Sequence, residues 1–187
     1  GERNVAIGSN AMKDNTTGLY NTAMGFYALQ QNTTGNKNTA LGYNNLNANT
    51  TGSENTALGY NNMMYNTTGA SNTAIGYQSL YENITGDNNT AMGKYALMDN
   101  TTGDGSVAIG ISALQEATTE GSLTAIGFEA AKANTTGTGT VAVGYQALTA
   151  NTTGDYNSAL GTYALTSNTT GNQNTSVGYQ SLYVNST

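Results

Sequence analysis

Asn55-Thr56-Ala57-Leu58-Gly59-Tyr60 stands seventeen residues after Asn38-Thr39-Ala40-Leu41-Gly42-Tyr43 and seventeen before Asn72-Thr73-Ala74-Ile75-Gly76-Tyr77. The glycine of this unit recurs at Gly8, Gly25, Gly42, Gly59, Gly76, Gly93, Gly110, Gly127, Gly144, Gly161 and Gly178 without insertion or deletion, so the 187 residues divide into eleven 17-residue repeats. A short fixed period without slippage marks a solenoid, in which one repeat is one coil that must stack on its neighbours to bury its apolar side. The sequence therefore predicts an all-β fold, a parallel β-roll solenoid forming one array over residues 1–187. The chain opens at Gly1, in mid-repeat and without methionine, and reads as a segment of a longer fibre protein.

Within a repeat, counted from the Asn of Asn-Thr-Ala-Leu-Gly as position 1, the first half alternates in character, which predicts a strand with two unlike faces. The larger residues at position 4, Ile7, Met24, Leu41, Leu58, Ile75, Met92, Ile109, Ile126, Val143, Leu160 and Val177, are expected to form an inward column. A second column at position 9 runs through Met12, Leu29, Leu46, Met63, Leu80, Leu97, Leu114, Leu148, Leu165 and Leu182, with Ala131 as its one break. Alanine holds position 3 in every coil except at Ser176. A face so uniformly small implies close approach of something, because a solvated face drifts among polar residues. The expectation is a neighbouring chain at a three-fold axis, with Ala23, Ala40, Ala57, Ala74 and Ala91 as interface residues. Tight packing inside the coil is the alternative.

Asn-Thr-Thr-Gly at positions 12–15 is turn chemistry, and its stacked amides are placed to bond along the axis as identical amides do in cross-β assemblies. The position-1 Asn predicts a second ladder. Each Asn-Thr-Thr is formally a glycosylation sequon, although the turn already accounts for these residues. Ala117, Glu120, Leu123 and Ala131 depart from the pattern together in the seventh and eighth coils, marking a bend, a partner contact or, as the favoured reading, a drifted repeat.

Leu, Ile, Val and Phe number only 27 of 187 residues, a share that without periodicity would signal disorder. Held at fixed phases, they form continuous columns instead. The net charge of −6 and the 9% of charged residues leave no basic stripe for nucleic acid or anionic membranes. No apolar stretch is long enough for direct membrane insertion. Cysteine and histidine are both absent, which removes the commonest base and most transition-metal ligands and argues against an enzyme or a cofactor. A coil this short also has no long loops from which to build a catalytic cleft, as a polysaccharide lyase would need.

Asn4-Val-Ala-Ile-Gly8, Ser106-Val-Ala-Ile-Gly110 and Thr140-Val-Ala-Val-Gly144 resemble the head repeats of trimeric autotransporter adhesins of the YadA type. The longer unit through Asn-Thr-Thr-Gly is also similar to repeat arrays in the shafts of phage and viral tail fibres, which often precede a chaperone-like domain. The resemblance covers the whole chain. It implies a left-handed β-roll with a strand pair in each coil, a tight homotrimer, an extracellular place on a cell surface or virion, and a cell-surface glycan or protein receptor. The period is longer than is usual in the adhesins, and no neck, stalk or membrane anchor is present. The expected function is a structural and adhesive fibre segment, spanning roughly 53 Å if its coils repeat every ~4.8 Å.

Several exposed rows are candidates for binding. Tyr43, Tyr60, Tyr77, Tyr145 and Tyr179 belong to an aromatic row at positions 6 and 7, suited either to stacking over neighbouring coils or to a carbohydrate-binding strip. Glu82, Asp99 and Glu116 align at position 11, and Asp87 and Asp104 at position 16, as a weak site for a divalent cation or, more simply, a solvated acidic patch. Thr-Thr pairs raise a competing function, a monomeric ice- or glycan-binding solenoid. Flat ice-binding faces need threonines at alternate positions of a strand, and here the pairs are adjacent, so they face opposite ways.

Overall fold

A computed structural model describes residues 2–184. Eleven strands, β1 (Val5–Ile7), β2 (Thr22–Met24), β3 (Thr39–Tyr43), β4 (Thr56–Tyr60), β5 (Thr73–Tyr77), β6 (Thr90–Met92), β7 (Val107–Ile109), β8 (Thr124–Ile126), β9 (Val141–Val143), β10 (Ser158–Leu160) and β11 (Thr175–Val177), form one parallel sheet in chain order. Each residue pairs with its equivalent one repeat on, as in Leu41↔Leu58 and Tyr43↔Tyr60. The chain is therefore a β-solenoid, with identical phases stacked vertically. No helix occurs among the described residues.

The return leg of each coil is not a strand, so the expected pair reduces to one strand per coil. Its backbone still climbs from coil to coil by hydrogen bonds: Leu29 N–H donates to Asn45 O at 3.0 Å, Gln31 to Asn47 at 3.0 Å and Thr33 to Thr50 at 2.9 Å. Extended structure fails here because positions 7 and 9 sit in the left-handed region, with φ of 56° at Tyr27 and 54° at Leu29. Two left-handed residues separated by one turn the chain back over itself and aim the position-9 side chain inward. The glycine at position 5 makes the close approach between coils: at Gly59, φ is +130° and an added Cβ would lie 2.1 Å from Gly76 O.

The core lies between the sheet and the return leg. The position-9 column is inside, with Leu29, Leu46, Leu80, Leu97, Leu114, Leu148 and Leu165 all at 0% exposure. The strand parity is the reverse of expectation. Ala23, Ala40, Ala57, Ala74 and Ala91 face the core at 0%, whereas Ile7, Met24, Leu58, Met92, Ile109, Ile126, Leu160 and Val177 are exposed on the outer sheet face, Leu58 at 44%. The cause is width. A coil whose return leg supplies leucine has room for only a methyl group from the strand opposite, so two large columns would not fit between the legs.

Leu80→Ala is expected to destabilise by about 2–5 kcal/mol through the cavity it leaves. Ala57→Leu should cost about 1–3 kcal/mol by overpacking. Urea unfolding followed by circular dichroism measures both. An Ala57→Leu variant as stable as the parent would contradict the inward placement of the alanine file.

Candidate functional site

In β3, β4 and β5, positions 2, 4 and 6 share the outer sheet face, so threonine, a large aliphatic and tyrosine run as parallel files up the rod. The structure brings Tyr43, Tyr60 and Tyr77 together. Phe26–Tyr43, Tyr43–Tyr60 and Tyr60–Tyr77 have ring centroids 5.4, 4.9 and 5.1 Å apart and are stacked within 15° of parallel. Tyr145 belongs to a separate stack with Phe128 at 5.1 Å, and Tyr179 meets Tyr163 edge-on at 6.5 Å. Lys94 interrupts the row, its Nζ 4.7 Å from the Tyr95 ring centre and 5.7 Å from that of Tyr77. Rings stacked in this way cover one another's faces and present edges and hydroxyls outward, so the row is a ribbed ridge rather than a series of open platforms.

The longer strands β3, β4 and β5 coincide with a change at position 8, where Asn45, Asn62 and Ser79 replace the usual alanine. Asn45 Nδ2 donates to Leu41 O at 2.7 Å and Gly59 O at 2.8 Å, while Asn62 N–H donates to Asn45 Oδ1 at 2.8 Å. These bonds tie the glycine corner to the core and accompany the extension of the strand through the position-5 glycine to the tyrosine. The composition of position 8 carried this signal and the sequence reading overlooked it. The file at position 16, where Asp87 and Asp104 align, proves to be one of acceptors, its side-chain oxygens taking the backbone N–H one coil below: Leu19 to Asn36 at 2.8 Å, Asn36 to Ser53 at 3.0 Å, Ala70 to Asp87 and Asp87 to Asp104 at 2.7 Å each. Recurrent Asn, Ser and Asp at that phase was its trace in the sequence.

The position-12 ladder forms as expected. Asn49 donates to Asn32 at 2.8 Å, Asn66 to Asn49 at 2.8 Å and Asn83 to Asn66 at 2.7 Å, and each amide also donates to the glycine carbonyl of its own turn. Buried at 0% and doubly engaged, the Nδ2 atoms of these sequons have no room to carry a glycan in the folded rod. Asn185 lies outside the described residues. The position-1 ladder is of another kind, with Oδ1 accepting the backbone N–H of the next coil, as Asn38 does from Asn55 at 3.0 Å, and Nδ2 reaching across its own coil, Asn38 to Gly52 O at 2.8 Å.

Both ladders stop in the seventh and eighth coils. Ala117 has no amide to offer Asn100, whose Oδ1 is buried without a partner, and Thr140 Oγ1 is orphaned on the other side of the gap. Strand pairing passes through undisturbed, Val107↔Thr124 and Thr124↔Val141. Ala117, Leu123 and Ala131 are all buried at 0% and join the apolar cluster. The departures thus form a matched set: two polar ladder sites turn apolar, and a leucine enters the core at position 1 of the same coil that lacks its leucine at position 9.

Among the described residues no three acidic side chains are gathered as metal ligands, so Glu82, Asp99 and Glu116 align without making a metal centre. Asp99 is held above the usual aspartate range, first by burial and then by the charges of Glu82 and Glu116. The hydroxyl of Tyr81 is pushed up to about 12, chiefly by its hydrogen bond with Tyr65. At position 13 the threonine hydroxyls are engaged, Thr33 Oγ1 with Thr50 O at 2.9 Å and Thr50 Oγ1 with Thr67 O at 3.1 Å, while the position-14 threonine of each pair is exposed.

The ladders and the acidic row each set a measurable stability. Asn66→Ala strands buried donors and acceptors above and below and should cost about 1–3 kcal/mol, whereas Ala117→Asn supplies the missing amide to Asn100 and should gain about 1 kcal/mol, both read by thermal melts. Because folded Asp99 holds its proton more tightly than the unfolded chain does, acidification through its raised pKa stabilises the rod until the ordinary aspartate value is passed. Asp99→Asn should therefore melt higher than the parent at neutral pH, and the difference should vanish below the ordinary aspartate range. No family model, curated protein or solved structure matches this chain.

Proposed function

We propose that the chain is a structural and adhesive fibre segment, three copies of which lie side by side with their sheet faces turned toward a common axis. The observation that carries this reading is the exposed apolar file at position 4, flanked by the stacked tyrosines: Met24, Leu58, Met92, Ile109, Ile126 and Leu160 are 37–52% exposed along one continuous face. An apolar strip of that length on a rod with few large hydrophobic residues is the mark of an association surface. Resemblance to the adhesin heads and fibre shafts supplies the number three. The exposed file supplies the surface, in place of the alanines that the sequence had suggested.

The mechanism is mechanical. Pull along the rod is resisted by parallel backbone ladders on both legs and by the two asparagine ladders, while three-fold repetition of the outer face gives any receptor contact avidity. The receptor, a cell-surface glycan or protein, would meet the return leg and the corners, since the tyrosine ridge borders the association face and its rings cover one another. An extracellular location, on a virion or a cell, belongs to the same proposal.

Light scattering on the purified chain is expected to give three times the mass of one chain, and Leu58→Lys combined with Ile126→Lys should reduce it to a single chain with its circular dichroism unchanged. A parent protein that is monomeric at high concentration, with the position-4 file open to water, ends the fibre reading. Thermal hysteresis in a freezing assay would favour the monomeric ice-binding alternative instead.

A further inference from the structure

On the return leg, away from the sheet face, the third to fifth coils carry a groove of about 430 Å³ lined by Ala48, Tyr65, Thr67, Glu82 and Ile84. It arises where the repeat departs from its own pattern. Position 13 is threonine in the neighbouring coils, with a hydroxyl that bonds the carbonyl above; Ile84 gives up that bond and leaves its side chain 43% exposed. Tyr65 stands beside it at 44% exposure, braced edge-on against Tyr81 with ring centroids 5.1 Å apart. Ile84 thus sets an aliphatic group beside the Tyr65 ring where the adjoining coils carry a hydroxyl, which makes the groove particular to these coils.

Charge identifies the occupant. Glu82 forms one wall, and Asp99 and Glu116 continue upward from it at the same phase of the next two coils. The ion pairs among the described residues are Lys37–Glu54 and Lys132–Glu129, so none of these three carboxylates is in an ion pair. A chelated metal is not the match, since no ligand group is gathered among the described residues. A side chain with an apolar stem and a cationic head fits both halves: the stem lies along Ile84, Ala48 and the Tyr65 ring, and the head reaches Glu82 with Asp99 beyond it.

We infer that this groove is a docking site for a basic segment of a partner protein, seating a lysine or arginine side chain between Tyr65 and Ile84 with its charge on Glu82. The inference stands whether the rod is a monomer or a trimer.

The test is fluorescence anisotropy of a labelled octalysine peptide titrated with the full chain, alongside the same peptide with every lysine acetylated, which keeps the stems and removes the charges. Octalysine is expected to bind at low salt, with the acetylated peptide, Ile84→Thr and Glu82→Gln each weakening it about tenfold, equivalent to about 1.4 kcal/mol. Glu116→Gln, beyond the groove, should change it less than about twofold. Ile84→Thr restores the residue of the neighbouring repeats and should melt no lower than the parent, which separates loss of the groove from loss of the fold. Failure of the parent to bind octalysine overturns the inference. So does equal weakening by Glu116→Gln and Glu82→Gln, which would assign binding to the overall negative charge, and so does undiminished binding by Ile84→Thr.

Discussion

Backbone amides of one coil meet carbonyls that lie one repeat away in the chain, and this single offset is obeyed on both legs of the solenoid. Thr39 donates to Asn55 at the sheet and Leu46 to Asn62 on the return leg, each about one repeat on. At Gly42, Gly59 and Gly76 the coils lie too close for a Cβ, so the glycine file sets the pitch that the rest of the molecule must follow. At that pitch every repeated side chain sits over its own copy. Asparagine amides bond amide to amide, tyrosines stack and leucines form a column, because the offset puts like over like. A chain with so few large apolar residues folds on this basis: each inward position is used once per coil, and outside the interrupted coils the polar inward positions carry their own hydrogen bonds along the axis.

Much of the architecture was legible in the sequence because repetition fixes phase without reference to detail. The period, parallel stacking, the position-9 core column and the position-12 amide ladder all depend only on what recurs, and all are present. What was misread depends on which way a recurring residue points. Alternation from Ala57 to Leu58 is equally compatible with either face being inside, and size alone suggested that Leu58 was buried. The return leg decides the matter, since it already places Leu46, Met63 and Leu80 in the interior and leaves the strand only a methyl's width. The left-handed residues that aim those side chains inward, such as Leu46 at φ 52° and Leu80 at φ 49°, are not residues in which that conformation is ordinarily expected, so nothing in their identity announced it.

The interrupted coils show how far the repeat tolerates change. Ala117 and Leu123 replace a pair of asparagines and Ala131 replaces a leucine, yet the sheet register is unaltered across β7, β8 and β9. Backbone bonding therefore outweighs side-chain ladders in holding the stack, and the ladders add stability and rigidity to a geometry that exists without them. What the gap leaves behind is two buried oxygens without partners, on Asn100 below and Thr140 above. Thr118, between them, makes its upward bonds to Thr135 at 3.5 Å through both N–H and hydroxyl, longer than the 2.9 Å of Thr33 N–H to Thr50. The lengthening is confined to the upper side of the gap, since below it Thr101 N–H reaches Thr118 O at 2.7 Å.

The two exterior faces of the rod follow different rules, and the difference bears on what each can bind. Position 4 stays apolar in every coil, so its surface has the same chemistry at every step of the axial pitch. A partner that matches such a surface along its whole length must share that pitch, and a second copy of the chain does so by construction, file against file from one end to the other. The return leg is the opposite case: position 11 runs Ala48, Tyr65, Glu82, Asp99, Glu116 and Ala133, passing from small to aromatic to acidic and back to small. A surface that varies within one rod cannot be matched by a repeating neighbour, and a partner that engages it must be local and particular. The proposed self-association thus falls on the face where the repeat is kept, and the proposed recognition of another protein on the face where it is broken.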